Sequence, residues 1–456
     1  PSPRFCVGVN NMIVNINGVY TYHTHIWYHR SSLNILMGSY KDRQAPTETV
    51  PTPVYIFRGH EEQINSLQFA EDNSFLVSGD AGGIIMIWDM KTKRSVIRFK
   101  AHDDGILRAT DGVTFVINVI LCEGSHGRDN FIHIWKYNQL LQGSNDTRED
   151  ASSLKPEKSL PVNSLNFCKF DIRYRKSGVD EEQEEILVVI PNVTESSAID
   201  IWNLSDQRII ASSIGLDQKQ ERGIFIFFIS NALLNLFLNH FFSFQGYCMA
   251  LRLIQYPNNQ GPQPINYLIL AAYENGSVVL WSVTLGSDER TVVDQLWSRK
   301  EHSESALGLD VSIDKRFAIS TAGDNKIVKY IFDEENYHAE PLIKSTTVKY
   351  AGIADVKIRS DGKIFATAGW DAKIRVFSSK SLKPLAILQY HRESVYALAF
   401  SLILGQDAIK QSATFENEPK DKNVDDRIVQ EQRQQFTKHY LVGSGKDHRI
   451  SLWEIY

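Results

Sequence analysis

Cysteine is scarce in this chain: four in 456 residues, at Cys6, Cys122, Cys168 and Cys248, with no CxxC pair. That spacing supplies neither a disulfide framework nor a zinc site, and suits free thiols in a reducing compartment. A charge excess is lacking too. With 49 Lys and Arg against 54 Asp and Glu, the net charge of −5 gives no electrostatic reason to bind nucleic acid or an anionic membrane. Basic clusters such as KTKR at 91–94 are too short for a nucleic-acid patch. The nucleophile-elbow pattern GxSxG is absent. Residues 1–50 carry Pro1, Pro3 and Pro46 and no sustained heptads, so no coiled coil is expected there. No secretory leader opens the chain, and its start at Pro1 rather than methionine reads as incomplete or mis-assigned.

What is there, at 43% hydrophobic and 23% charged, is the material of a large globular chain, and it repeats. Residues 59–89, GHEEQINSLQFAEDNSFLVSGDAGGIIMIWD, open on Gly-His, run through alternating apolar strands and end on Trp-Asp. This unit resembles the WD40 repeat, each of which makes one four-stranded propeller blade. The third-strand pattern recurs as SHGRDNFIHIW (125–135), AIDIWNL (198–204), AAYENGSVVLW (271–281), STAGDNKIVKY (320–330), TAGWDAKIRVF (367–377) and GSGKDHRISLW (443–453). The anchors Trp88, Trp135, Trp202, Trp281, Tyr330, Phe377 and Trp453 lie 47, 67, 79, 49, 47 and 76 residues apart. Seven blades with three insertions account for those gaps.

The expected fold is therefore all-β: a seven-bladed WD40 β-propeller over 51–456, closed by an N-terminal strand, after an extension at 1–50 that is disordered or mis-assigned. The blades fall at about 54–98, 99–145, 160–215, 247–290, 299–340, 347–387 and 388–456. The insertions lie at 171–185, which holds the acidic GVDEEQEE, at 223–245 and at 403–438. Because the chain ends on the third strand of its last unit, VYIF (54–57) is expected to complete that blade and leave no open sheet edge.

His, Ser and Asp recur at fixed places in these units, which invites a catalytic reading. The recurrence favours a structural one: His before the first strand, Ser in the second, Asp in the turn and Trp in the third can hydrogen-bond in series. Blade 2 has the full set, His102, Ser125, Asp129 and Trp135; blade 5 has His302, Ser320, Asp324 and Tyr330; blade 7 has His391, Asp447 and Trp453, with Gly443 in place of Ser. Blade 1 has Gly82 where Asp is expected and blade 4 has Asn275. Blade 6 has Lys349 near the His position, and blade 3 keeps little beyond Trp202. No catalytic residue, cofactor or metal site is expected. The residues just before each turn Asp or its substitute, Arg128, Glu274, Trp370 and Lys446, are expected on one face as partner-binding candidates.

One long apolar run stands apart: GIFIFFISNALLNLFLNHFFSFQ at 223–245, long enough for a membrane helix. It falls between blades 3 and 4, and a single span there would put the two parts of one ring on opposite sides of a membrane. A membrane-dipping or partner-binding helix and a strand pair packed on the ring remain open. The reading we favour is a translated intron, since its composition is that of AT-rich sequence and FFSFQ is what a pyrimidine tract before CAG encodes. Residues 112–124 and 1–45 invite the same suspicion.

Six strings narrow the family: LPVNSLNFCKF (160–170), VVIPNVTESSAIDIW (188–202), CMALRLI (248–254), LILAAYENGSVVLW (268–281), GIADVKIRSDGKIFATAGWDAKIRVF (352–377) and GSGKDHRISLWEIY (443–456). They resemble the ASTRA-associated WD-repeat family of fungi and its animal G-protein-beta-subunit-like relatives. The resemblance implies a non-enzymatic subunit of a nuclear assembly, with a cytoplasmic pool also open. It implies links to chromatin remodelling and, as partners, the Tel–Tti co-chaperone, the RuvB-like ATPases and the PI3-kinase-related kinases. Fold alone leaves two rivals, a G-protein-beta-like signalling subunit and a ubiquitin-ligase substrate receptor.

Overall fold

The computed structural model describes residues 51–70, 73–111, 122–136, 155–162, 168–176, 184–216, 245–255, 265–285, 291–333, 336–403 and 438–455. These residues build seven antiparallel sheets of four strands each. Blade 1 runs from its inner strand Ile64–Ala70 through Phe75–Asp80 and Ile84–Asp89 to its outer strand Arg94–Lys100. Blade 2 comprises Ile106–Asp111, Cys122–Gly127, Phe131–Lys136 and Lys158–Pro161; blade 3, Asp171–Lys176, Glu184–Pro191, Ile199–Asn203 and Arg208–Ile214. Blade 4 comprises Cys248–Gln255, Ile265–Tyr273, Ser277–Leu285 and Thr291–Lys300; blade 5, Ala306–Val311, Phe317–Ala322, Lys326–Ile331 and Leu342–Thr347. Blade 6 comprises Ile353–Ile358, Ile364–Gly369, Lys373–Ser378 and Pro384–Gln389. Blade 7 joins Val395–Phe400, Tyr440–Gly445 and Arg449–Glu454 to Tyr55–Arg58, which pairs with it in the register Tyr55↔Leu452 to Arg58↔Arg449.

Burial explains the order of strands within a blade. The second strands Phe317–Ala322 and Ile364–Gly369 are buried on both faces and are apolar or small throughout. Outer strands are wetted on one face, as in Arg94–Lys100 and Thr291–Lys300, and carry charge there. Each neighbouring pair of sheets shares one apolar cluster. Trp135 of blade 2 packs with Phe99 and Ile97 of blade 1, and Phe170 and Ile172 of blade 3 pack with Ile132 and Ile134 of blade 2. The succession continues through blades 3 to 7. It returns to blade 1, where Phe57, Leu452 and Val442 of blade 7 meet Ile64, Leu76 and Trp88.

Several expected boundaries move. Lys158–Pro161 is the outer strand of blade 2, because it pairs with Ile134–Phe131 rather than with anything in blade 3. Residues 171–176, expected inside an insertion, are the inner strand of blade 3, paired from Asp171↔Val189 to Lys176↔Glu184. Thr291–Lys300 and Leu342–Thr347 likewise belong to blades 4 and 5, beyond the limits expected for them. Of the suspect stretch 112–124, Cys122–Gly124 lies in the second strand of blade 2, opposite Lys136–Ile134. Residues 1–50, 112–121, 177–183, all but Gln245 of the apolar run, and 404–437 lie outside the described residues. Among the described residues no helix is long and apolar enough to cross a membrane.

Candidate functional site

The blade networks come first, because they decide whether the His–Ser–Asp sets could do chemistry. In blade 2, His102 Nδ1 lies 2.9 Å from Asp129, its Nε2 lies 2.8 Å from Ser125 Oγ, and Trp135 Nε1 donates to the same Oγ at 2.9 Å. In blade 5, His302 contacts Asp324 at 3.2 Å and Ser320 Oγ at 2.7 Å, and Tyr330 supplies a hydroxyl 3.2 Å from Ser320. Burial pushes both imidazoles below the ordinary histidine range, although the facing aspartates oppose it. A neutral ring fits the geometry: Nδ1–H donates to the carboxylate and Nε2 accepts from the hydroxyl. Ser125 and Ser320 are fully buried, with indole or phenol against their oxygens, so neither can reach a substrate carbon.

Two networks differ from the sequence reading. Blade 1 is complete, because Asp80, at the end of the second strand, takes the place left by Gly82: it lies 2.6 Å from His60 Nδ1. His60 Nε2 reaches Ser78 Oγ at 2.7 Å, and Trp88 Nε1 donates to that oxygen at 2.8 Å. In blade 7, Ser451 of the third strand supplies the hydroxyl that Gly443 lacks: it lies 2.8 Å from His391 Nε2 and accepts from Trp453 Nε1 at 2.8 Å. His391 Nδ1 meets Asp447 at 2.9 Å. Burial alone would raise the Asp447 carboxyl, but the His391 hydrogen bond and charge, with two backbone N–H groups, hold it low. In blade 4, Asn275 accepts from Ser277, and Trp281 Nε1 donates to the Tyr273 hydroxyl at 3.3 Å. In blade 6, Asp371 pairs with Arg375, while Lys349 is exposed. Trp202 Nε1 is buried with no hydrogen-bond partner among the described residues.

His102, Asp129 and His133 are close enough to suggest a metal site. The chemistry does not favour one. Both nitrogens of His102 are engaged, His133 Nδ1 meets Ser159 Oγ, and the two imidazoles stack at 4.6 Å instead of converging. Burial and the neighbouring His102 push His133 down to about 4.

The inner strands hold a second set of polar residues, which the sequence reading passed over. Asp171 accepts from Leu253 N–H at 2.9 Å, Asp310 from Ile358 N–H at 2.7 Å and Asp355 from Leu398 N–H at 3.2 Å. Each carboxylate thus binds the inner strand of the following blade. Buried Arg252 donates from Nε to Asp310 at 3.1 Å, and the charges of Asp310 and Asp171 raise it despite burial. Lys169 Nζ reaches Asp355 at 2.9 Å, from blade 3 to blade 6, which are not neighbours in the ring; the bond crosses the central channel. The available signal was a charge inside an apolar alternation, as in CMALRLI and ALGLDV, since a buried charge requires a partner.

Above Lys169 the channel opens into a cavity of about 360 Å³, whose lining includes Leu107, Met249, Leu307, Arg128, Trp370 and Tyr396. Each comes from a turn or from the start of an inner strand, where a register shift re-aims the side chains; such shifts separate Val395 from Ala397 and Ile353 from Asp355. Of the four partner-binding candidates, Arg128 and Trp370 line this mouth and are exposed. Trp370 packs over Gly352, whose φ of +90° and missing Cβ let the ring lie flat on the backbone, and yet stays 46% exposed. Ser394 Oγ donates to its carbonyl at 3.0 Å. Glu274 and Lys446 are exposed outside the cavity, the first near Tyr247 N–H and the second paired with Glu393 at 3.1 Å.

Comparison with known proteins agrees with this architecture. The family described as "WD domain, G-beta repeat" matches residues 51–89 and 343–378. A Penicillium rubens protein named ASTRA-associated protein 1 is 30% identical, over 91% of this chain and 99% of its own length. A Schizosaccharomyces pombe protein of the same name is 28% identical, over 77% of this chain and 94% of its own. A mouse protein named guanine nucleotide-binding protein subunit beta-like protein 1 is 28% identical, over 89% and 97%.

Proposed function

From the membership of this chain in the ASTRA-associated protein 1 family of WD-repeat proteins, we propose that it is a non-catalytic scaffold subunit of an ASTRA-type complex. In that role it holds protein partners: the Tel–Tti co-chaperone, RuvB-like ATPases and PI3-kinase-related kinases. The complex would link it to chromatin remodelling and to maturation of those kinases, in the nucleus and also in the cytoplasm. The single observation that supports docking is the channel mouth, an apolar cavity with Trp370 exposed at its lip and Tyr396 and Arg128 beside it. Binding energy concentrates in Trp, Tyr and Arg, and a rigid ring presents them with little loss of conformational freedom on association.

Purification of the tagged full chain from its own cells, followed by identification of what accompanies it, tests the assembly. Tel–Tti and RuvB-like subunits support the reading; a gamma-like peptide or a cullin overturns it. Trp370→Ala is expected to reduce partner recovery at least about tenfold, as for an interface hot spot, with the melting temperature nearly unchanged. Unaltered recovery would remove the mouth from the proposal.

A further inference from the structure

We propose that the channel mouth takes an extended partner segment carrying one carboxylate beside an aliphatic or aromatic side chain, with basic residues on both flanks. This deepens the docking reading above and rests on it. The volume of about 360 Å³ suits one or two side chains rather than a folded element. Its walls are mostly apolar, from Leu107, Met249, Leu307 and Ala354 with the rings of Trp370 and Tyr396, and Gln63 and Asn65 add two neutral amides. The charged side chains in the lining are Arg128 at the lip and Lys169 at the floor; no Asp or Glu is among the described lining residues.

Lys169 is the informative one. Its ammonium directs one N–H to Asp355 at 2.9 Å and another toward the Ala354 carbonyl at 3.4 Å, and its side chain keeps 20% of its surface exposed. An ammonium has three donors, so a carboxylate entering from the cavity can share it. Asp355 cannot take a competing basic side chain so readily. It is buried, Oδ1 faces Lys169, and Oδ2 accepts from the Leu398 backbone. The same low-dielectric walls that hold an apolar anchor strengthen the charge-assisted bond beneath it.

Outside the cavity the sign reverses. The loops that lead into the inner strands expose Glu61, Glu62, Asp103, Asp104, Glu304 and Glu393 against Lys349 and Arg392, and the adjoining turn of blade 7 exposes Lys446. Lys446 is already paired with Glu393. A segment acidic at its anchor and basic on its flanks therefore meets complementary charge at both radii, and one with the opposite pattern is opposed at both.

Fluorescence anisotropy with the purified full chain tests this. The probe is a labelled peptide with a glutamate between two leucines and two lysines on each flank. One twin carries glutamine for the glutamate, and another carries glutamates for the lysines. The first peptide is expected to bind at least about tenfold more tightly than either twin, the size of one charged hydrogen bond. Lys169→Met and Arg128→Gln should each shrink its advantage over the glutamine twin, while the advantage of lysine flanks stays. Arg128 is exposed at the lip rather than buried in the channel, so Arg128→Gln remains informative if Lys169→Met folds poorly. Equal binding of the glutamate and glutamine peptides, a preference for the acid-flanked peptide, or no binding by any of them overturns the proposal. If Trp370→Ala still abolishes partner recovery in that event, the docking reading stands and only the assigned chemistry fails.

Discussion

Gly443 and Ser451 face each other across the second and third strands of blade 7, and the hydroxyl that other blades carry on the second strand sits on the third. The swap is local chemistry with a steric cause. A Cβ at position 443 would press on the Ile374 side chain of blade 6 and crowd Leu398, so a larger residue there must displace them, and Ser451 reaches the same point from the opposite strand. It also accepts from Trp453 Nε1 and lies within hydrogen-bond reach of His391 Nε2 and the Gly443 carbonyl. Ser451→Ala is therefore expected to cost about 1–3 kcal/mol, the price of leaving buried partners unsatisfied. Gly443→Ser on that background should not restore the loss and should lower stability further. Urea unfolding of the two variants checks this; full recovery in the double variant would show that the network tolerates either strand. Linear spacing marks this blade as incomplete, because spacing along one strand does not register a hydroxyl that arrives across the pair.

At the scale of strands and blades, legibility followed burial. Third strands are readable because each carries an aromatic anchor after an apolar alternation, as in FIHIW and RISLW. Outer strands are not. Lys158–Pro161, Thr291–Lys300 and Leu342–Thr347 carry charged or polar residues on a wetted face, so their ends were assigned to neighbouring blades or to loops. The latches between inner strands were invisible for another reason: Asp310, Arg252 and Asp171 acquire meaning only when three blades stand side by side. They make a sharp prediction. Asp310→Asn leaves Arg252 buried beside a weaker partner and is expected to cost about 3–5 kcal/mol, as for one member of a broken buried pair. Adding Arg252→Met should recover much of that, since an apolar side chain needs no counter-charge there. Chemical denaturation of the single and double variants gives the coupling; additive losses would mean that the pair does not hold blades 4 and 5 together.

For the molecule as a whole, the decisive element is one of the two shortest described strands. Tyr55–Arg58 lies at one end of the described chain and pairs with Arg449–Leu452 near the other. Its Phe57 is 1% exposed, meets Trp88 of blade 1 edge-on at 5.3 Å, and packs in one cluster with Leu452 and Ile64. That one strand thus supplies the hydrogen-bonded edge of blade 7 and part of the joint between blades 7 and 1. Seven blades and this closing strand could be anticipated because the anchor spacing counts the blades and the last unit lacks a fourth strand. The channel mouth could be anticipated only in part, through Trp370 and Arg128, because Lys169 and Tyr396 join them from other blades. Closure has a mechanical consequence. A chain beginning at Val50 keeps the strand, whereas one beginning at Gly59 leaves Arg449–Glu454 as an unpaired edge and uncovers Trp88. The shorter chain is expected to melt well below the longer one and to aggregate, and Phe57→Ala alone should cost about 3–5 kcal/mol. Indistinguishable melting of the two chains would mean that the joint between blades 7 and 1 is held by their inner strands alone, and the ring would then owe its closure to packing rather than to the shared sheet.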